Sequence, residues 1–461
     1  MFGTFNTSNT IAAIATGTAI SAIGIIRLSG SDAIEIVSSV FHPSSGRSLA
    51  EIPDRTLVLG VLNDAKGETL DHCLCTVSRA PNSYTGENTA ELQCHGSPVV
   101  LRLTLEALFS RGARQAAAGE FTKRAFLNGR MDLTQAEAVI DLIDSETDEA
   151  AKNAAGQLGG AILRKTDRIY GELVDIISHY HAVLDYPDED IDEFRIEAYL
   201  ETLLRAGGEL KSLLETFERG KVMKSGVKAA IVGKPNAGKS SLLNALLGFE
   251  RAIVTSIPGT TRDTIEECVT LGGVKLRLID TAGLRGTSDP IEKIGVDRAI
   301  GAAASSELVL AVFDGSEELS EEDEEAILAA KGAKRRIAII NKSDLPQKLD
   351  LSLISKSFDR ILSVSALDKM GLGALDEEVS SMFPIPEAPA GEILTNSRHA
   401  DAVARALASV EEAVAALKTG ATPDIVLTET ENALSALGEL TGKTVREDVT
   451  RRIFERFCVG K

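Results

Sequence analysis

Residues 233–240 read Gly-Lys-Pro-Asn-Ala-Gly-Lys-Ser, the spacing G-x-x-x-x-G-K-[ST]. Glycines at those positions let successive backbone N–H groups approach phosphate oxygens. Lys239 is then placed to reach the β- and γ-phosphates, and the Ser240 hydroxyl to ligate magnesium. The context fits, because the apolar run 229–232 predicts a strand before the loop and Leu-Leu-Asn-Ala-Leu-Leu predicts a helix after it. The nucleotide-contacting stretch therefore runs through Asn236, Ala237, Gly238, Lys239, Ser240 and Ser241.

Further on, Asp280-Thr281-Ala282-Gly283 ends a second apolar run. In a D-x-x-G turn the carboxylate holds a magnesium-bound water and the glycine amide meets the γ-phosphate. Asn341-Lys342-Ser343-Asp344 follows another run, and a carboxylate at Asp344 can accept both N1–H and the exocyclic amine of guanine. Adenine lacks that donor pair, so the nucleotide read here is GTP. Ser365-Ala366-Leu367 suits a backbone loop against the guanine oxygen. Four motifs in this order on alternating strand ends predict a Ras-like P-loop GTPase domain.

A Ras-type domain places a water-orienting Gln after D-x-x-G, and here that position is Leu284. An alkyl chain cannot orient water, so hydrolysis is very slow or the group comes from elsewhere. Arg285, Asp289 and Glu292 follow at once, although charges in such a stretch are also what a solvated loop carries. The loop Thr255-Ser256-Ile257-Pro258-Gly259-Thr260-Thr261 holds a threonine pair of which one hydroxyl completes the magnesium shell. Asn236 admits two readings: its amide oxygen coordinates a monovalent cation near the β–γ bridge, in place of an arginine finger, or it stiffens the loop by a hydrogen bond.

The elements that position these residues follow from length and pattern. At 461 residues the chain has room for roughly three domains. With 44% hydrophobic and 25% charged residues it is neither disordered nor collagen-like, and with 4% aromatics and no Trp its cores are aliphatic. A net charge of -19 repels phosphate backbones, so contact with nucleic acid needs a local basic patch or a partner. Five scattered cysteines argue against a disulfide framework and for a reducing compartment. The apolar stretch 11–26 is too interrupted for a membrane span and lacks the basic lead of a signal peptide, so a cytoplasmic protein without membrane contact is expected.

Residues 1–120 mix short β-rich runs (24–28, 56–62, 74–78) with a helix at 99–109, an α/β or α+β domain. Helical periodicity then takes over: Leu133, Ala136, Val139, Ile140 and Ile143 share one face, and a second run covers 162–184. An acidic turn with Pro187 breaks it at 185–192. From 226 the rhythm is strand, loop, helix, with strands at 229–232, 265–271, 275–279, 308–313, 337–340 and 361–364. The Pro-rich segment 383–391 is a linker, and helices resume at 398–417, with Thr444 and Glu447 as a capping box further on. The expected fold class is thus multidomain α/β. It has an N-terminal domain at 1–120, a helical domain assembled from 121–215 and 385–461, and the GTPase domain at 216–384 inserted into it.

Together with Cys-Val-Gly-Lys at 458–461, Gly24–Gly30, Asn82–Gly96 and Gly119–Val139, these motifs make the chain resemble the bacterial and organellar tRNA modification GTPases of the MnmE (TrmE) family over essentially its whole length. The resemblance implies a potassium-activated GTPase whose G domains meet across a homodimer. It would work with the FAD-dependent partner MnmG (GidA), in a heterotetrameric or larger complex, on tRNA held mainly by that partner. The product would be a carboxymethylaminomethyl or aminomethyl group on C5 of the wobble uridine. Its carbon comes from a 5-formyl- or 5,10-methylene-tetrahydrofolate bound to the N-terminal domain. By position, potassium contacts fall on Asn236, Thr255, Ile257 and Thr260, and magnesium contacts on Ser240 and Thr261. The catalytic glutamate falls on Glu292, a chemical role on Cys458, and folate contacts on Arg27, Glu91, Arg130 and Lys461. Two departures, Thr16–Ile23 where the family has a Pro- and Gly-rich loop, and His-Gly-Ser-Pro at 95–98, lie near the folate residues.

Without the family these N-terminal residues read less sharply. Arg27 and Arg130 suit a glutamate carboxylate and Glu91 a pterin amine, yet each equally suits a structural ion pair. His95 beside Cys94 offers ligand atoms, but no second Cys/His pair with zinc spacing accompanies it, so no structural metal site is expected. The acidic run 316–325 reads as a helix start capped by Ser320. A competing class, a ribosome-assembly or regulatory GTPase switch, fits the GTPase motifs equally. It would append a basic RNA-binding module, which the acidic composition does not supply.

Overall fold

Alternation shapes the first of two sheets. In strand Thr69–Ser78, Asp71, Cys73, Cys75 and Val77 are buried while their neighbours are not, the period of two expected of a sheet with one face on a core. The computed structural model describes residues 10–185, 196–248, 267–279, 301, 303–384, 388–444 and 447–460. They form two compact units: 1–140, 158–194 and 423–461 in the first, 141–157 and 195–422 in the second.

The first unit holds β1 (Ile11–Ile14), β2 (Ile23–Ser29), β3 (Phe41–Pro43), β4 (Val58–Asn63), β5 (Thr69–Ser78), β6 (Thr89–His95) and β7 (Arg114–Gln115), in sheet order β3-β4-β5-β6-β2-β1-β7. Neighbours run antiparallel except β1 and β7. The register of β2 on β6 sets Arg27 directly opposite Glu91. The core beneath is aliphatic, with Ile26, Leu28, Leu62 and Leu92 meeting Leu101 and Leu108 of helix Pro98–Ser110. All of the expected strands and the expected helix of this region are present.

Helices Ala161–Asp185 and Pro423–Thr441 pack together in the same unit. Leu133 and Ala136 bury against Phe454 and Phe457, with Val139 and Ile140 packed alongside. Ile143, expected on that face, is instead 50% exposed. The box expected from Thr444 and Glu447 rests partly on residues outside the described ones; the Thr444 hydroxyl itself donates to the Ser435 carbonyl at 3.4 Å.

The second sheet has nearly continuous apolar runs in its central strands, which are covered on both faces. Its strands are β8 (Val227–Val232), β9 (Glu267–Leu271), β10 (Val274–Leu278), β11 (Leu308–Asp314), β12 (Arg335–Asn341) and β13 (Arg360–Ser363), ordered β13-β12-β11-β8-β10-β9. All pairs are parallel except the β9–β10 hairpin. Val227, Ala229, Leu308, Leu310 and Val312 bury on one face; Ala230, Val232, Val309, Ala311 and Phe313 bury on the other. This is the parallel sheet the strand–loop–helix rhythm predicts. Helices Ile196–Glu215 and Ser397–Thr419 pair within the same unit. Among the described residues, no helix is long and apolar enough to cross a membrane.

Candidate nucleotide and cofactor sites

The loop after β8 is shaped by its glycines and by its own lysine. Gly233 has φ 150° and Gly238 φ 98°, and a Cβ on Gly238 would stand 2.0 Å from the Asn341 amide nitrogen. Only glycine allows that approach. Helix Lys239–Leu247 starts at this point. The Lys239 ammonium donates to the carbonyls of Gly233 and Lys234, both at 2.7 Å, which curls the loop around the space a phosphate would take. Burial pushes the Lys239 ammonium pKa down. Ser240, Ser241 and Asn236 are exposed, and Asn236 holds φ 59°.

Asn341, the first residue of the third motif, joins this loop to the fourth. Its Nδ2 donates to the Ala237 carbonyl at 3.0 Å while its Oδ1 accepts the Ala366 N–H at 3.1 Å. Ser343 N–H donates to the Val364 carbonyl, and Ser365 exchanges backbone bonds with Met370. Lys342, at φ 59°, turns its ammonium onto Asp314 at the end of β11. Burial pushes the Asp314 carboxyl up, but bonds from Lys342 and Ser316 outweigh it and hold it below the usual carboxylate range. Asp344 is exposed beside this joint, and so is Leu367, at 84%. The structure thus brings Asn236–Ser241, Asn341–Asp344 and Ser365–Leu367 to one edge of the sheet.

Lys234 was not singled out in the sequence. Its ammonium is 9% exposed and pairs with Glu317 at 2.9 Å and Asp323 at 3.1 Å, binding the phosphate loop to the acidic helix start. The Ser320 backbone N–H donates to the Asp323 carboxylate, the reciprocal half of a capping box, and the Ser320 hydroxyl donates to the same carboxylate. The acidic run, read from the sequence as a capped helix start and given no further role, therefore also anchors the phosphate loop.

Thr255, Ser256, Ile257, Pro258, Gly259, Thr260 and Thr261, together with Asp280, Thr281, Ala282, Gly283, Leu284, Arg285, Asp289, Glu292 and Lys461, lie outside the described residues.

In the first unit Arg27 and Glu91 form an ion pair, Nε to Oε1 at 2.7 Å, across β2 and β6. The Arg27 guanidinium lies 5.5 Å from the centroid of Tyr84 and 5.9 Å from that of Phe121. Tyr84 shares a hydrogen bond of 2.9 Å with Thr122, although burial still pushes its phenol pKa up. Arg130 is exposed, its stem against Gly86, two residues beyond Tyr84. Beneath lies a network the sequence gave no means to assemble. Buried Arg124 pairs with Glu87 and Glu120, both at 2.9 Å, and Ser29 donates to Glu87 at 2.7 Å. Its members sit within the quoted blocks 82–96 and 119–139, but nothing in the spacing pairs them.

Two departures noted in the sequence meet each other here: Ser21 N–H donates to the Gly96 carbonyl at 3.2 Å, and the Thr16 hydroxyl accepts from Ile25 N–H at 3.1 Å. Phe454 and Phe457 anchor the segment that follows, their rings 5.4 Å apart. Gly119 N–H then donates to the Cys458 carbonyl at 3.3 Å, and Val459 bridges to Ala118. The Cys458 thiol is exposed.

A lysine-curled glycine loop between a parallel strand and a helix, tied by one asparagine amide to the loop at Ser365–Leu367, defines a nucleotide-binding domain of the P-loop class. The chain matches the family model of the GTP-binding protein TrmE N-terminus over residues 10–130 and that of the MnmE helical domain over 133–458. It is 42% identical over 457 residues to the tRNA modification GTPase MnmE of Clostridioides difficile (strain 630), covering 98% of this chain and 99% of that one. It is also 42% identical over 462 residues to the MnmE of Thermoanaerobacter pseudethanolicus, with the same coverage. A solved structure, the G domain of the T. maritima FeoB iron transporter, is 30% identical over 34% of this chain and 97% of its own, at a TM-score of 0.25. The chain belongs to the MnmE (TrmE) family of tRNA modification GTPases.

Proposed function

We propose that this chain is a cytoplasmic, potassium-activated GTP hydrolase that works as a homodimer with an MnmG-type flavoprotein to modify C5 of the wobble uridine of tRNA, using a tetrahydrofolate one-carbon unit. The observation that carries the GTPase reading is the double bond of Asn341, which couples the phosphate loop to the base-facing loop through one side chain. Lys239 and the amides of Ala237–Ser241 hold the phosphates, and Asp344 takes the two guanine donors. Ser240 with Thr261 would hold magnesium, which supplies charge neutralisation on the β- and γ-phosphates. Asn236 with Thr255, Ile257 and Thr260 would hold potassium. The left-handed, exposed Asn236 supports this, since among the described residues its side chain makes no hydrogen bond that would stiffen the loop. Glu292 orients the water that Leu284 cannot.

In the first unit, Arg27, Glu91 and Arg130, with Lys461, would hold the folate. The stacked Tyr84 and Arg27 give a pterin-sized planar group a surface, and the Arg27–Glu91 pair opens one donor set and one acceptor set to it when it binds. Cys458, exposed on a docked segment, is positioned for chemistry rather than packing. The test measures GTP turnover in potassium and in sodium at equal ionic strength, for wild type and Asn236→Ala, alongside mass spectrometry of tRNA nucleosides from strains carrying each variant and Cys458→Ser. A large potassium advantage that Asn236→Ala erases, and loss of the modified uridine in Cys458→Ser with GTPase activity intact, are expected. Equal rates in both salts would remove the potassium role, and unchanged wobble uridine in the deletion strain would remove the modification role.

A further inference from the structure

Strands β5 and β6 bring together side chains that lie far apart in the sequence. The Leu74–Gln93 pair of the register puts Cys73 and Cys94 side by side on the buried face one residue further along. Asp71, two residues before Cys73, shares that face. One ligand atom from each of Asp71, Cys73 and Cys94 lies within 4.8 Å of the other two, all three residues buried. The carboxylate is fixed in place. Its Oδ1 accepts from His72 N–H and from the His95 ring, both at 2.7 Å, and its Oδ2 accepts from His95 N–H at 2.9 Å. Cys94 and His95 are therefore joined by the partners that a linear scan could not supply.

We propose that Asp71, Cys73 and Cys94 form a binding site for a thiophilic divalent cation of the zinc class, with His95 holding the Asp71 carboxylate from outside the ligand set. Two sulfurs and one carboxylate oxygen are a donor set that zinc takes in tetrahedral sites, leaving one position for water. Ligands on such ions are regularly oriented by a second hydrogen-bonded group, the part His95 plays towards Asp71. The cluster sits near the strand ends, where His72 and His95 are exposed, so an ion has a short path inward. Contact with Cys94, then burial, push the Cys73 thiol pKa up, and burial raises the Asp71 carboxyl but its three donors outweigh that and keep it low. Binding makes two metal–sulfur bonds and one metal–oxygen bond and releases two protons to solvent, with no change of oxidation state. Such a clamp would fix the end of β6, the strand that also carries Glu91.

The test uses the full-length, metal-stripped, reduced protein with magnesium and GDP saturating. Zinc is titrated against a chromophoric chelator, and cobalt(II) is added separately and followed by absorption. One tightly held zinc per chain is expected. Cobalt should give thiolate-to-metal charge-transfer bands, which an oxygen-ligated magnesium site cannot produce. Cys73→Ser and Cys94→Ser should each halve those bands and weaken zinc roughly 100-fold or more, and His95→Ala should weaken it roughly 10- to 100-fold with the bands retained. Nucleotide binding by the second unit checks that each variant is folded, and the wild-type cobalt spectrum needs no variant at all. Zinc binding weaker than micromolar, or charge-transfer bands that survive in the Cys73→Ser/Cys94→Ser double variant, would each overturn the site.

Discussion

The two candidate sites differ in what does the holding. In the second unit the groups offered to a ligand are largely backbone: the curled amides of 237–241 and the loop at Ser365–Leu367, set by Asn341. In the first unit they are side chains from separate strands and helices, Arg27 against Glu91 with Tyr84 stacked, over a buried Arg124 that holds Glu87 and Glu120. A backbone site needs consecutive residues of particular conformational freedom, so it is written as a contiguous motif. A side-chain site is assembled by register, and its members are scattered. The first kind should tolerate side-chain change and fail on backbone change; the second should do the reverse.

The largest effect is expected where a buried charge loses its partner. Arg124→Met leaves Glu87 without its cation in a largely buried place and Glu120 with Arg114 alone, at a cost of about 3–5 kcal/mol, read as a fall in the denaturation midpoint of the first unit. The same network fixes the acid response. Burial pushes the Glu120 carboxyl up, but bonds from Arg114, Ala117 N–H and Arg124 outweigh it and hold it at about 2. A carboxyl held below its unfolded value of 4.5 stabilises the fold fully above that pH. Its contribution disappears as the pH falls from 4.5 towards 2. Melting of the wild type should therefore fall steeply in that window, and Glu120→Gln should flatten the fall. A curve of unchanged shape would mean that other carboxylates govern acid unfolding.

Next comes Asp344, the carboxylate proposed to read the base. Asp344→Asn removes a charged acceptor for two donors and should weaken GTP by about 1.5–3 kcal/mol while favouring xanthosine triphosphate, whose edge offers an acceptor there. Titration with both nucleotides checks it; unchanged preference would move base recognition elsewhere.

How far each region could be read beforehand follows the same division. The central strands β8, β11 and β12 of the second unit were legible because both faces are buried, so each appears as a largely apolar run. Gly233, Gly238 and Lys239 were legible because their roles follow from conformation and local reach. Lys234 was not, since its partners Glu317 and Asp323 lie some eighty residues away in a run that reads as a capped helix start. Arg27 and Glu91 were found only through family resemblance, and what sequence alone could not say is that they face each other. Ile143 was misplaced because periodicity marks a face without saying where the neighbour ends. Asp71 escaped for the plainest reason: a cross-strand register has no linear spacing to search for.

Gly238→Ala attacks the backbone site at its hinge. The added methyl would meet the Asn341 amide at 2.0 Å and force a non-glycine residue to hold φ 98°. Strain of this kind costs about 1–3 kcal/mol. The loop can relieve it only by moving off Asn341, so GTP affinity should fall roughly 10- to 100-fold with the sheet intact. Equilibrium binding together with far-ultraviolet circular dichroism separates that outcome from general unfolding.

The smallest effect is the most discriminating. Leu367 lies in the base-facing loop, is 84% exposed, and by the backbone reading contributes its main chain alone. Leu367→Ala removes most of the side chain yet keeps the main chain, its φ/ψ preference and the Ala366 N–H bond to Asn341. Exposed substitutions of this kind change free energies by about 0.5 kcal/mol or less, so GTP affinity should stay within roughly two-fold of wild type. Arg27→Gln is the matching change in the first unit, trimming the group that pairs with Glu91 and stacks on Tyr84, and it should weaken folate binding clearly. If Leu367→Ala weakens GTP as much as Arg27→Gln weakens folate, the loop reads the nucleotide with its side chain, and the contrast between a site built of backbone and a site built of side chains no longer holds.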